Sequence, residues 1–138
     1  MKNLTLLLGI ILFSLNGVYA QKDHAGMEGD MDKINAQANI NLAQWKSEIA
    51  KEYSVSEEKV EYMHSTVKMT PGDIVVALEI AKISSRTNIN QIIQMFKSTR
   101  TLGWAELSKK CHIKPGSTQM DTLKANVGKK AKSSGSNG

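Results

Sequence analysis

Cys111 and His112 are the adjacent pair of residues in this chain whose side chains could do chemistry together. The chain has one cysteine and three histidines. A thiol beside an imidazole could bind a metal ion or act as a nucleophile with its base. Adjacent residues on a helix point about 100° apart, however, so the two side chains do not converge on one ion. We interpret Cys111 as a small buried hydrophobe and His112 as a turn residue, in preference to a reactive thiol or a metal ligand.

A second candidate site lies in the segment DHAGMEGDMD, where His24, Met27 and Met31 follow one another closely. Imidazole and thioether groups suit copper(I), and exported proteins encounter copper. The alternative is that the segment is a flexible leader, because three ligands are a sparse set and Met31 also begins a helical apolar stripe. The sequence therefore allows a copper site at these three residues and does not require one.

The remaining polar groups do not form a catalytic pattern. Glu57, Glu58 and Glu61 could be read as paired carboxylates, but acids in the first turn of a helix ordinarily offset the helix dipole. His64 has no metal-binding partner at helical spacing. Trp45 and Trp104 occupy positions typical of core anchors more than of a ligand cage. Because the sequence also has no nucleophile motif and no glycine-rich phosphate loop, we expect neither an enzyme nor a cofactor.

The N-terminus has the pattern of a secretory signal peptide. Lys2 precedes a nearly unbroken apolar run over residues 4–15, and Val18 and Ala20 stand at the positions that determine cleavage. The run has about a dozen residues, whereas a membrane-spanning helix needs roughly 20, and no second such run follows. We predict a signal peptide at residues 1–20, cleavage before Gln21, and a mature protein without a transmembrane segment in the periplasm or outside the cell.

Charge and composition suggest how the remaining chain is organised. The chain has 13 acidic and 18 basic side chains. All the acids lie between Lys22 and Leu123, where basic residues balance them, so the net positive charge comes from Lys2 and the C-terminal lysines. A basic tail is not the footprint of a nucleic-acid-binding face. We predict a flexible leader at 21–30, a helical domain at 31–126 and a disordered basic tail at 127–138.

Apolar spacing in the domain predicts helices throughout. A stripe with spacings of three and four runs from Met31 to Tyr53 and predicts one helix of about 22 residues. Ser56, Thr70 and Ser117 are predicted N-caps, and Thr70-Pro71-Gly72-Asp73 is the clearest start signal because Asp73 can complete a capping box. No segment shows the alternation of a half-buried strand. We therefore predict an all-α domain, a compact bundle of five or six short helices with helix-turn-helix-like corners.

Three helix ends share one pattern. IAKEYSV at 49–55 and LSKKCHI at 107–113 match in character at each position, and IAKISSRTNI at 80–89 is a stretched third copy. In this register Cys111 corresponds to Tyr53 on the apolar stripe, and His112 corresponds to Ser54 in the turn. The pattern predicts that the chain turns in a similar way at all three helix ends.

The motifs TPGD and GWAELSKKCHIKPGS resemble those of small exported bacterial helical proteins in which a tryptophan after a glycine opens the penultimate helix. The resemblance covers residues 51–123 and implies a compact α-helical domain, with no known activity attached.

The sequence pattern of IAKEYSVSEEKV also resembles the helix-turn-helix of DNA-binding regulators. The second helix of this corner is acidic, and it would repel the phosphates that dominate DNA affinity. Nucleic acid is therefore not an expected partner. The expected function is an exported, non-enzymatic helical module that binds a protein or a cell-envelope component, and the alternative is a periplasmic copper-handling protein that uses His24, Met27 and Met31.

Overall fold

The computed structural model of the chain describes residues 27–133, which form helices connected by short turns. Helix α1 spans residues 27–38. It is followed by α2 (Leu42–Glu52), α3 (Glu57–Glu61) with a π-helical turn (Tyr62–Thr66), α4 (Pro71–Ile83), α5 (Ile89–Thr99) with a 3₁₀ turn (Arg100–Leu102), α6 (Gly103–Lys110) and α7 (Thr118–Ser133). Residues 27–133 contain no β-strand. The predicted all-α fold is confirmed.

Helix α4 forms the centre of the bundle, as its apolar sequence predicts. Nine of its residues are buried. It contacts α5, α7 and the π-helical turn. The side chains that close the core around it come from all parts of the described chain, among them Ile34, Ile49, Met63, Ile92, Ile113 and Leu123.

The start of α4 explains each residue of the TPGD motif. Thr70 Oγ1 accepts a hydrogen bond from the backbone N–H of Asp73 (3.1 Å), and Asp73 Oδ2 accepts one from the N–H of Thr70 (2.9 Å). Pro71 occupies the first helical position, where no N–H is needed. Gly72 lies so close to α1 that a Cβ atom there would be 2.7 Å from Met31 Cβ. The motif therefore both begins α4 and packs it against α1.

The predicted helix from Met31 to Tyr53 is wrong in its continuity, because the structure contains two helices there. Its apolar stripe is nevertheless inward-facing: Ile34, Ala38, Trp45 and Ile49 are buried. The chain turns at residues 39–41, and Asn41 caps α2 by accepting a hydrogen bond from the N–H of Gln44 (3.3 Å). The stripe spans the turn because both helices present an apolar face to the same core.

Two predicted boundaries differ from the structure. Residues 27–30 of the predicted leader begin α1, and Met27 is buried. Residues 127–133 of the predicted disordered tail continue α7, where Val127 and Ala131 are buried. These apolar residues extend the stripe of Leu123 at spacings of four, which is the physical reason that the helix continues. The predicted signal peptide at 1–20, the leader residues 21–26 and the tail residues 134–138 lie outside the described residues.

No helix within residues 27–133 is long and apolar enough to cross a membrane.

Candidate functional site

A cleft of about 430 Å³ opens between the C-terminal end of α2, the second half of α4 and the start of α5. Its apolar floor consists of Val55, Leu78, Ala81 and Ile89. Charged and polar side chains surround this floor, and they are Glu52, Ser54, Lys82 and Asn88, with Tyr53 beside them. We call this feature the α2–α4–α5 cleft, and it is the candidate functional site.

The chain turn after α2 shapes one wall of the cleft. Ser54 adopts a left-handed conformation (φ 54°). Its N–H donates to the carbonyl of Lys51 (3.4 Å), and the N–H of Val55 donates to the carbonyl of Ala50 (3.0 Å). This pair of bonds is a Schellman motif, which satisfies the last carbonyls of α2. The turn brings Val55 onto the cleft floor before Ser56 caps α3.

The start of α5 shapes the opposite wall. Asn88 and Gln91 form a capping box in which the side-chain oxygen of each residue accepts a hydrogen bond from the backbone N–H of the other. Asn88 Oδ1 accepts from the N–H of Gln91 (3.1 Å), and Gln91 Oε1 accepts from the N–H of Asn88 (2.9 Å). The C-terminal end of α2, the start of α5 and α4 thus form the cleft walls, and the backbone of these walls is hydrogen bonded.

A buried polar network lies behind the cleft. Glu79 on α4 is only 5% exposed. The hydroxyl of Tyr53 donates to Glu79 Oε1 (2.6 Å), and Asn126 Nδ2 on α7 donates to Glu79 Oε2 (2.9 Å). A buried carboxylate is costly unless hydrogen bonds replace its water, and these two donors do so. The network joins α2, α4 and α7 and so holds the cleft wall in place.

Tyr53 is a hydrogen-bond donor at neutral pH. Burial raises the pKa of its hydroxyl well above 10.0, and the hydrogen bond to Glu79 raises the pKa further. A phenol in this state cannot serve as a base at neutral pH. The Tyr53–Glu79 hydrogen bond is therefore suited to support the cleft wall rigidly.

Within the described residues, the acidic residue at the cleft rim, Glu52, forms an ion pair, whereas the basic residue, Lys82, does not. Glu52 accepts a hydrogen bond from Lys130 Nζ at the end of α7. Lys82 is exposed and has no ion pair within residues 27–133. The rim therefore presents one ammonium group that is available to a ligand.

The second corner, at Cys111 and His112, repeats the turn after α2. The N–H of His112 donates to the carbonyl of Lys109 (3.0 Å), and the N–H of Ile113 donates to the carbonyl of Ser108 (2.9 Å). His112 adopts φ 64°, close to the φ of Ser54. The predicted correspondence is confirmed for the corners after α2 and α6, and it is wrong for the third copy, where Ser84 has an extended backbone and forms no such turn.

Cys111 faces the interior and His112 faces solvent, as the packing interpretation predicts. Cys111 is fully buried. Burial raises the pKa of its thiol, and a hydrogen bond with Thr87 partly offsets this effect. A thiol of raised pKa has little thiolate with which to react. The pair therefore does not have the geometry of a nucleophile with its base.

The predicted copper ligands are only partly described. His24 lies outside the described residues. Met31 packs against Gly72 in the core, and Met27 lines a different cavity together with Met120. Within residues 27–133, no group of three or more histidine, cysteine, aspartate or glutamate side chains is placed to hold a metal ion. Copper binding by His24, Met27 and Met31 remains a prediction.

The acidic residues at the two ends of α3, Glu57 and Glu61, are exposed and make surface contacts. Glu57 accepts from Ser47 Oγ (2.7 Å), and Glu61 accepts from Lys46 Nζ (2.6 Å). The bond from Lys46 lowers the pKa of Glu61. Desolvation and the nearby Lys46 lower the pKa of His64. These contacts tie α3 and the following turn to α2.

Both tryptophans are core residues, as predicted. Trp45 and Trp104 are 7% and 8% exposed. Trp104 Nε1 donates to Asp73 Oδ1 (2.7 Å), and its ring lies 5.5 Å from that of Phe96. Trp104 thus links the GW motif to the TPGD motif directly.

Sequence reasoning missed Glu79 and the α2–α4–α5 cleft. The available signal was a single acid inside the apolar run IVVALEIAKI of α4. A charged residue at a buried helical position indicates a partner elsewhere in the fold. Its partners, Tyr53 and Asn126, are 26 and 47 residues away in sequence, so no local pattern identifies them.

No protein-family model, curated protein or solved structure matches this chain. The resemblance to small exported helical proteins therefore stays a prediction. Thr70, Gly72, Asp73 and Trp104, which belong to its motifs, meet at one contact between α1, α4 and α6. That contact gives the motifs a structural role.

Proposed function

We propose that this protein is an exported, non-enzymatic helical module that binds a protein or cell-envelope partner through the α2–α4–α5 cleft. The observation that carries the proposal is the combination in one cleft of an apolar floor and an unpaired ammonium group at Lys82. Binding energy at protein interfaces concentrates where a few anchor side chains enter such desolvated pockets.

The volume of the cleft supports a ligand of modest size. Small-molecule sites typically measure about 300–1,000 Å³, and the cleft, at about 430 Å³, lies near the lower limit. One or two side chains of a partner fit a site of that size better than a large cofactor does. We infer that an anchoring side chain enters the cleft while the rest of the partner rests on its rim.

The rigid walls of the cleft also support binding. Tyr53 is held by Glu79, and the adjoining helix ends at Ser54 and Asn88 are hydrogen bonded. A preformed site loses less conformational entropy when a partner binds. The signal-peptide pattern at residues 1–20 supports export, which places the partner in the periplasm, in the envelope or outside the cell.

The test compares two alanine-to-arginine variants in co-purification from an envelope fraction. Ala81→Arg puts a long cation onto the cleft floor, whereas Ala36→Arg puts the same side chain on an exposed position of α1. We expect the partner to be lost from Ala81→Arg and retained by Ala36→Arg, with both variants folded by circular dichroism. Equal recovery of the same partner by both variants would exclude the cleft as the binding site.

A further inference from the structure

The two turns that follow α4 and α6 enclose a polar cavity of about 420 Å³ on another part of the surface. One side comes from residues 84–86 and the other from the Cys111–His112 corner and the start of α7. The lining residues are Ser84, Ser85, Arg86, Cys111, His112, Lys114 and Gln119.

Buried contacts fix the two turns relative to each other. Ser84 Oγ donates to the carbonyl oxygen of Cys111 (3.2 Å), and the N–H of Arg86 donates to Ser84 Oγ (3.4 Å). Ser84 and Cys111 are both buried, and the Cys111 thiol also forms a hydrogen bond with the Thr87 side chain. The cavity is therefore part of the folded framework, although the ends of its longer side chains are exposed.

The charges around the cavity have one sign. Arg86 and Lys114 are cationic, and within residues 27–133 no acidic residue lines the cavity. Neither of these two side chains has an ion pair in the described part of the chain. Like charges gathered on fixed turns repel one another, and an anion between them removes that cost.

We propose that this cavity binds a phosphate monoester group. Such a group carries a charge of about −1.5 to −2 at pH 7, which matches the two permanent cations at Arg86 and Lys114. The guanidinium of Arg86 can donate two parallel hydrogen bonds to two phosphate oxygens. Ser85 from the first turn and Gln119 from α7 also line the cavity, and they offer a hydroxyl and an amide donor to the other phosphate oxygens. A carboxylate carries one charge and two oxygens, and it uses fewer of these donors.

The first experiment titrates the ¹⁵N-labelled mature protein with glycerol 3-phosphate and, separately, with acetate, following amide shifts at residues 84–86 and 111–119. We expect saturable shifts with glycerol 3-phosphate and much weaker binding of acetate. Arg86→Gln and Lys114→Gln should each weaken phosphate binding by about tenfold, since each removes a charge in direct reach of the anion. Lys129→Gln, which removes an exposed charge from α7, should change it by less than about twofold.

The second experiment distinguishes a soluble phosphate from a lipid headgroup. Sedimentation is measured with phosphatidylcholine vesicles that contain or lack phosphatidic acid. Binding to the acidic vesicles that depends on Arg86 and Lys114 would assign the site to a membrane headgroup, whereas glycerol 3-phosphate binding without vesicle binding would assign it to a soluble phosphate. The proposal is overturned if neither probe binds, if acetate binds equally well, or if Lys129→Gln has the same effect as Arg86→Gln.

The phosphate site and the α2–α4–α5 cleft are tested independently. Ala81→Arg should leave the affinity for glycerol 3-phosphate unchanged. A circular dichroism melt of Arg86→Gln that matches the melt of the parent protein shows that this variant is folded. If the parent protein does not bind phosphate, this result therefore argues against the phosphate site and leaves the proposal for the α2–α4–α5 cleft untouched.

Discussion

The hydroxyl of Tyr53 donates a 2.6 Å hydrogen bond to Oε1 of Glu79, a carboxylate that is 5% exposed. The bond joins the residue that directly follows α2 to α4, behind the candidate binding cleft. Asn126 on α7 donates to the other oxygen of the same carboxylate. A single buried side chain thereby connects three helices, and the position of the cleft wall depends on it.

Removing the Tyr53 hydroxyl should destabilise the fold. In Tyr53→Phe the buried Glu79 keeps one donor, and a lost hydrogen bond to a charged group typically costs about 1.5–3 kcal/mol. Denaturant melts at pH 7 would measure the change, with Tyr62→Phe at an exposed tyrosine as the matched control. Tyr53→Phe as stable as the control would show that the bond contributes nothing.

The same residue should give the protein a pH dependence above pH 10. The folded-state pKa of Tyr53 is raised above its ordinary value of 10.0, so the unfolded chain releases this proton first. The contribution of the network is therefore complete below pH 10 and declines as the pH rises toward the folded-state pKa. Melts of the parent protein and Tyr53→Phe between pH 9 and 11 would isolate this term by difference. A constant difference across that range would contradict it.

Gly72 and Gly29 should respond oppositely to alanine. A Cβ atom at Gly72 would lie 2.7 Å from Met31 Cβ and 2.9 Å from the Met31 carbonyl oxygen, whereas one at Gly29 meets nothing within 4 Å. Replacing glycine by alanine gains up to about 1 kcal/mol within a helix, but overpacking a fixed contact costs about 1–3 kcal/mol. We expect Gly72→Ala to lower the melting temperature and Gly29→Ala to raise it or leave it unchanged. A stabilised Gly72→Ala would show that α1 and α4 do not approach this closely.

Cys111 should react slowly with a bulky thiol reagent while the protein is folded. The side chain is fully buried and burial raises the pKa of its thiol. Denaturant should accelerate labelling, because unfolding supplies both access and thiolate. His112→Ala is the matched test of pairing and should leave the rate unchanged. Rapid labelling of the native protein that slows in His112→Ala would instead indicate a functional thiol and base.

The copper alternative predicts that mature protein binds copper(I) more tightly than a peptide of residues 21–31 does. A competition titration with a chromogenic chelator compares the two directly, and His24→Ala removes the imidazole. Our proposed function predicts that the folded protein binds copper(I) no more tightly than the peptide does, because Met27 and Met31 are buried in the core. A clear gain in affinity for the folded protein, lost in His24→Ala, would favour the copper-handling alternative.

Local signals in the sequence were sufficient to predict much of the fold. The caps at Ser56, Thr70 and Ser117 are present in the structure, and each side chain accepts a backbone N–H bond within three residues of itself. The matching corners at Ser54 and His112 also depend on contacts of six residues or fewer. Such features are encoded by residues that are neighbours in the chain, so pattern alone identifies them.

The predicted helix limits are wrong where the spacing of apolar residues does not follow the course of the backbone. The stripe continues past Ile40, but that side chain is 86% exposed at the turn between α1 and α2. At the other end, the lysines and the scarcity of side chains to bury suggest a disordered tail, yet Val127 and Ala131 belong to the core and α7 continues through Gly128. Favourable packing of two apolar residues outweighs the weak helix propensity of one glycine.

The candidate sites could not be predicted from sequence because each is assembled from distant segments. Val55 and Ile89 line the same cleft although they lie 34 positions apart in the sequence, and Arg86 and Lys114 line the same cavity beside the hydrogen-bonded turns at Ser84 and Cys111. In sequence these residues look like ordinary helix ends and surface charges. Only the packing of α4 against its neighbours brings them together.

Photocrosslinking from the cleft rim is the most direct test of the proposed function. Benzoylphenylalanine replaces the exposed residue Glu52 at the cleft rim, which leaves Lys82 in place, or, as a matched control, the exposed residue Lys97 on α5. Intact cells that express the full-length protein are irradiated, and adducts are resolved by mass. We predict a discrete adduct from position 52 that is absent from position 97 and is lost when Ala81→Arg is added. Absence of any adduct at position 52, or the same adduct from both positions, would contradict partner binding through the α2–α4–α5 cleft.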